Sequence, residues 1–166
     1  MTAITSRVES IRPRWQAIVM VALIFWLSGS LILDLVIMPS LYVSGMMTSP
    51  EFATAGNLMF WGFNRVELIC AALVATGLMV LSNLSNGFGK QSRTAIILSL
   101  VLLAIALIDT YALTPQMSAL GMQLNLFDAA EVPTGMNLLH QAYLGLETVK
   151  LAVGVTLLSW CYQHQA

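Results

Sequence analysis

Long apolar runs, broken by short polar stretches, dominate the pattern along this chain. Residues 15–33 and 68–82 carry no charged side chain. A helix that crosses a bilayer needs about 20 mostly apolar residues to cover roughly 30 Å of hydrocarbon. Four segments meet that demand: about 15–38, 58–82, 94–114 and 138–162. The third is interrupted by Asp109, and the fourth contains Glu147 and Lys150. Backbone groups in lipid must bond within their own segment, so the spans are predicted to be helices.

The breaks carry turn and cap chemistry. Asn83-Leu84-Ser85-Asn86-Gly87-Phe88-Gly89 predicts a tight hairpin between spans two and three. Thr48-Ser49-Pro50-Glu51 reads as a helix start, with a hydroxyl cap, Pro in the first turn and an acid near the positive end of the dipole. A helix running from there to Ser82 would be roughly 50 Å long, so its first turns stand outside the hydrocarbon. Pro115 is expected to kink or end span three, and Val132-Pro133-Thr134-Gly135 breaks the chain before span four. The predicted fold class is all-α, an integral membrane four-helix bundle forming one domain over residues 1–166.

Composition narrows the function classes. Hydrophobic types make up 58 % of the 166 residues and charged types 9 %, against roughly 45–50 % and about 25 % in soluble domains. That balance excludes an ordinary soluble enzyme or a disordered chain. A net charge of −1 gives no field for polyanions, so no nucleic-acid partner is expected. The bilayer is the expected partner, with a membrane protein or a second copy as further candidates. Cys70 and Cys161 lie at different membrane depths and are read as separate thiols.

Basic residues set an orientation. Arg7, Arg12 and Arg14 precede span one, and Lys90 and Arg93 lie between spans two and three. The other two connections contain Glu51, Asp128 and Glu131 and no Lys or Arg. The positive-inside rule then places both termini and the 83–93 hairpin in the cytoplasm. A bacterial inner membrane or a thylakoid membrane fits that layout. The Arg-rich start also suits a signal peptide. However, its apolar run exceeds the roughly 7–15 residues of a signal core, and no small-x-small site follows, so the segment is read as a retained span.

Ionisable groups at membrane depth cost about 2.5–3.5 kcal/mol each on insertion scales. Asp34, Arg65, Glu67, Asp109, Glu147 and Lys150 all fall there, with His140 at the outer end of span four. The topology gathers them in the outer half, where they are expected to face inward and pair. In span four, His140, Tyr143, Glu147 and Lys150 fall within about 80° of one helix face, and Glu147 can pair with Lys150 at i,i+3. In span two, Asn57, Trp61, Asn64 and Glu67 form a second polar-aromatic stripe. Arg65 points elsewhere and is expected to reach Asp34 or Asp109. Four acids against two bases leave room for a bound cation or a proton. The same charges could equally serve only to pin helix register.

Seven of the ten methionines, including Met38, Met59 and Met136, border the two outer connections. Thioethers suit Cu(I), and His140 lies in the same layer, which makes His140 with Met38, Met59 and Met136 a candidate metal set. Methionine as a flexible gap-filler is the competing reading. A haem held by His140 and a Met is a further candidate cofactor. The sequence establishes neither Cu(I) nor haem. There is no Ser-His-Asp order, phosphate loop or metalloprotease motif.

Several stretches resemble a known family. They are Phe25-Trp26-Leu27-Ser28-Gly29 followed by Leu33-Asp34-Leu35-Val36-Ile37-Met38-Pro39-Ser40-Leu41-Tyr42, then Phe60-Trp61 with Asn64-Arg65-Val66-Glu67, and His140-Gln141-Ala142-Tyr143 leading to Glu147. Over essentially its whole length the chain is similar to an uncharacterised four-span family. That family includes bacterial and cyanobacterial proteins and eukaryotic transmembrane proteins linked to platinum-drug resistance. A more distant similarity to CopD-type copper-resistance proteins, and a weaker one to HemJ-type protoporphyrinogen oxidases, implies copper or haem chemistry by analogy.

The expected function is a non-enzymatic membrane protein. Its polar, Met-bordered outer pocket, built from Asp34, Asn64, Arg65, Glu67, Asp109, His140, Tyr143, Glu147 and Lys150, would bind or pass a small ligand, a soft metal ion or protons. The alternatives are an assembly subunit of a larger membrane complex and a haem-dependent redox protein.

Overall fold

The computed structural model describes residues 2–44, 52–84, 90–119 and 134–163. The described residues form four long helices. They are α1 (Thr2–Ile32), α2 (Phe52–Leu84), α3 (Lys90–Ile108) and α4 (Thr134–Gln163). Four helical stretches are long and apolar enough to cross a membrane: Pro13–Leu41, Ala55–Leu84, Arg93–Ala119 and Leu138–Gln163. Each contains its predicted span and extends beyond it by up to five residues at an end. The protein is thus an all-helical integral membrane bundle. Thr48-Ser49-Pro50-Glu51 and the centre of the 83–93 hairpin lie outside the described residues.

The helices alternate in direction around a ring. α1 packs on α2 and α4, and α3 packs on the same two. Close contacts fix the directions. A Cβ added at Gly77 would collide with Val19, and one at Gly29 would sit 3.1 Å from Phe63, so α2 runs antiparallel to α1. A Cβ at Gly154 would approach Leu27 to 2.7 Å, which brings α4 against α1. Small residues at such crossings let helices approach closely in lipid, where packing takes the place of a hydrophobic driving force. Gln16 Nε2 donates to the Cys161 carbonyl at 2.9 Å, so the starts of α1 and α3 and the ends of α2 and α4 share one end of the bundle. This is called the terminal end below.

The terminal half has an apolar core. Val19, Leu23, Ala71, Val74, Leu102, Ala106 and Leu157 fill it, with Cys70 and Cys161 buried as free thiols. Hydroxyls within the helices are satisfied locally: Ser99 donates to the Ile96 carbonyl and Thr156 to Ala152, each at 2.8 Å. The outer faces are apolar too, with Val21, Ile24, Phe25, Ile69 and Val155 exposed, as suits lipid contact.

Two π turns interrupt the helices. α1 passes into Leu33–Ile37 and then a short helix, Met38–Val43. α3 passes into Asp109–Leu113 and remains helical through residues 114–119. In each, a backbone N–H reaches five residues back, Met38 to the Leu33 carbonyl and Thr114 to that of Asp109. A proline follows directly, Pro39 in one case and Pro115 in the other. Proline offers no N–H for the next rung, and its ring crowds the carbonyl four residues back. The wider π turn makes room for it. Of the two outcomes expected at Pro115, a kink or an end to span three, the end does not occur: the helix continues through residue 119. Each π turn also holds an acid, Asp34 or Asp109.

Candidate functional site

The half of the bundle remote from the termini contains a buried polar cluster. Glu67 (2 % exposed), Asp109 (0 %), Glu147 (4 %) and Lys150 (2 %) lie inside it, and Asp34 is half-buried beside them. α2 and α4 are not ring neighbours, so Lys150 crosses the bundle interior to form an ion pair with Glu67. It also pairs with Glu147, one turn earlier on its own helix, as the i,i+3 spacing predicted.

Glu67 is the most heavily bonded of the acids. Its Oε1 accepts from Lys150, from the Trp26 indole N–H at 2.8 Å and from the Ser30 hydroxyl at 3.2 Å. Charge-assisted bonds of this kind offset the desolvation of a carboxylate. The sequence reading did not assign Trp26 or Ser30 to the site. The available signal was their spacing, since Trp26, Ser30 and Asp34 recur every fourth position along one face of α1.

The other acids are less well served. Tyr143 donates to Asp34 Oδ1 at 3.3 Å, and Asp34 Oδ2 has no hydrogen-bond partner. The Glu147 contact with Lys150 is a close ion pair without an aligned hydrogen bond, so both Glu147 oxygens lack one. Asp109 is the extreme case, fully enclosed with neither carboxylate oxygen hydrogen-bonded. Lys150 and Glu67 both act on it electrostatically, while Tyr143 feels all four carboxyls. Glu67 and Glu147 thus pair with the single ammonium group of Lys150, and the carboxyls of Asp109 and Asp34 lie beyond that pair.

Arg65 is not among them. It is exposed, and its guanidinium lies 5.1 Å from the centre of the exposed Trp61 ring. The expectation that it reaches Asp34 or Asp109 is overturned. The position is two residues from the inward-facing Glu67, and at about 100° per residue that turns it outward. A cation–π contact and a flexible stem then let it sit on the surface.

His140 is likewise exposed, although it shares a helix with Tyr143 and Glu147. Met38 and Met59 are half-buried, and the side chain of Met136 lies outside the described residues. Among the described residues, no three His, Cys, Asp or Glu side chains are grouped to hold a metal ion.

Asn64 links the cluster to a pocket. It is buried one turn from Glu67, and its amide donates to Thr114 Oγ1 at 2.7 Å and, more weakly, to the Asp109 carbonyl at 3.5 Å. Beyond it opens a cavity of about 300 Å³ lined by Asn57, Trp61, Asn64, Thr110, Thr114, Pro115 and Ser118. The predicted stripe on α2 therefore divides: Asn57, Trp61 and Asn64 face the pocket, while Glu67 turns into the bundle interior. Beside the cluster, the Phe60 and Tyr143 rings meet edge to face, with centroids 6.1 Å apart.

Comparison with protein-family models, with curated proteins and with solved structures found no match to this chain.

Proposed function

We propose that this protein binds protons or a small monovalent cation at the buried carboxyl cluster. Asp109 carries the reading. A carboxyl with both oxygens unbonded, enclosed at membrane depth and sharing its surroundings with the Glu67 carboxyl, is costly to keep without a proton or a counter-ion. Lys150 offsets part of that cost, and an excess of three carboxyls remains once Arg65 is placed outside. Register pinning alone needs only the Lys150–Glu67–Glu147 core. It gives no role to Asp109 or to the second oxygen of Asp34.

The apolar packing of the terminal half shapes what the cluster does. Val19, Leu23, Val74, Leu102 and Leu157 fill most of the space between the cluster and the termini, and the buried Ser99 hydroxyl there is already bonded to the Ile96 carbonyl. The reading is therefore a site served from one side. The basic residues of the terminal end, Arg14 and Arg93 among them, orient that end toward the cytoplasm under the positive-inside rule. On that orientation the cluster serves the opposite face of a bacterial inner or thylakoid membrane. The proposed kinship with the four-span family fits this reading. Trp26, Asp34, Asn64, Glu67, Tyr143 and Glu147 all belong to the motifs that carry the resemblance, and all take part in the cluster or its border.

Infrared titration of the purified protein in lipid tests the proposal. A carboxyl stretch that titrates identically in sodium and in choline buffers, and disappears in Asp109→Asn or Glu147→Gln, identifies a proton site. A sodium- or potassium-induced shift of the same band identifies a cation site. If neither variant removes a band and no cation shifts one, the reading is wrong.

A further inference from the structure

The pocket beside Asn64 brings amide and hydroxyl groups to membrane depth. Asn57 and Ser118 sit near its rim, at the ends of their spans, with the Ser118 hydroxyl donating to Asn57 Oδ1 at 3.0 Å. Asn64, Thr110 and Thr114 lie one to two turns deeper. The lining is uncharged: Asn57, Asn64, Thr110, Thr114 and Ser118 bring polar groups into a wall that is otherwise mostly apolar, with Trp61 and Pro115 contributing to it. Some of these groups are already bonded within the protein: Thr110 donates to the Ala106 carbonyl at 2.6 Å, and Thr114 Oγ1 accepts from Asn64. The Asn57 amide N–H groups and the Thr114 hydroxyl proton remain free for an occupant among the described residues. A recess of this volume has room for several water molecules, and these unbonded donors give them protein groups to bond.

We propose that this pocket is a water-filled vestibule through which protons or a small cation reach Asp109 from the end of the bundle remote from the termini, with the Asn64 side chain as its floor. The inference rests on the proposed function and adds the route. Phe60 and Tyr143 occupy the space between α2 and α4, which leaves the gap between α2 and the end of span three as the recess leading toward the cluster. Asn64 spans that gap, bonded to Thr114 on one side and near the Asp109 backbone on the other. Swinging its amide off Thr114 joins the vestibule to the buried acid. An uncharged lining lets a cation pass without trapping it, and the acid cluster beyond disfavours anions.

Thiol labelling in sealed proteoliposomes tests the route. Thr114→Cys and Ser118→Cys are expected to react with a membrane-impermeant, positively charged methanethiosulfonate. Tyr111→Cys is the control, because it lies between Thr110 and Thr114 in sequence, is exposed on the apolar surface and does not line the pocket. It should react at least tenfold more slowly. The unsubstituted protein, whose two cysteines are buried, sets the background. Equal rates at Thr114→Cys and Tyr111→Cys would overturn the vestibule while leaving the infrared test of the cluster intact. For the floor, Asn64→Ala should speed deuterium exchange of the carboxyl band and Asn64→Leu should slow it. The same rate in both variants would remove Asn64 from the route.

Discussion

The two halves of the bundle solve the same packing problem with opposite chemistry. The terminal half closes with aliphatic side chains and alanine, and glycines at the α1 crossings let backbones approach. The remote half closes around Lys150, which draws Glu67 and Glu147 together across the interior while Trp26 and Ser30 complete the shell of Glu67. Packing of the first kind tolerates small changes of shape. Packing of the second kind depends on a count of charges, because an ion left alone at membrane depth has no water to fall back on. The difference is that the terminal half holds no buried charge among the described residues, and its polar side chains Gln16 and Ser99 bond backbone carbonyls. The buried acids beyond those paired with Lys150 therefore call for a reason other than architecture.

Removing the central cation should break the polar half most severely. Lys150→Met leaves Glu67 and Glu147 uncompensated and should cost about 3–5 kcal/mol, read as a large fall in Tm of the detergent-solubilised protein. Adding Glu67→Gln to that variant should recover a measurable part of the loss. No recovery would show that Lys150 acts through shape rather than charge. In the terminal half, where Gly154 meets Leu27, Gly154→Leu should cost about 1–3 kcal/mol by overpacking and leave the infrared carboxyl bands unchanged. Changed bands would mean that the two halves are mechanically coupled. The smallest effect belongs to Arg65→Ala. Loss of its contact with Trp61 should cost only about 0.5–1 kcal/mol, with no effect on the buried acids. A collapse of that variant would restore Arg65 to the cluster.

The architecture was legible because apolar length and loop charge act one helix at a time. The spans and the inward stripe Tyr143–Glu147–Lys150 follow from composition and a fixed rotation per residue. The site was legible only in part, because its remaining members depend on which helices are neighbours. Glu67 and Lys150 pair between helices that are not adjacent in the ring, which no local pattern encodes. Arg65 was misplaced because charge attraction was given more weight than helix rotation. The π turns escaped notice because Pro115 was read only as a kink or an end, whereas a widened turn ahead of Pro39 and Pro115 absorbs each proline. His140 stays at the surface because it stands near the start of its span, beyond the level where the helices enclose the acids.

The bridge from Lys150 to Glu67 also bears on how the protein is made. The span of α4 has a mean hydropathy of 1.4, against 1.8 to 2.5 for the other three, so it is the least able to enter lipid unaided. Its own Glu147–Lys150 pair softens that entry, and Glu67 completes it only after α2 is in place. The bridge thus ties the least apolar span to a partner 83 residues earlier in the chain, so the buried charge of α4 is matched only when α2 is folded beside it.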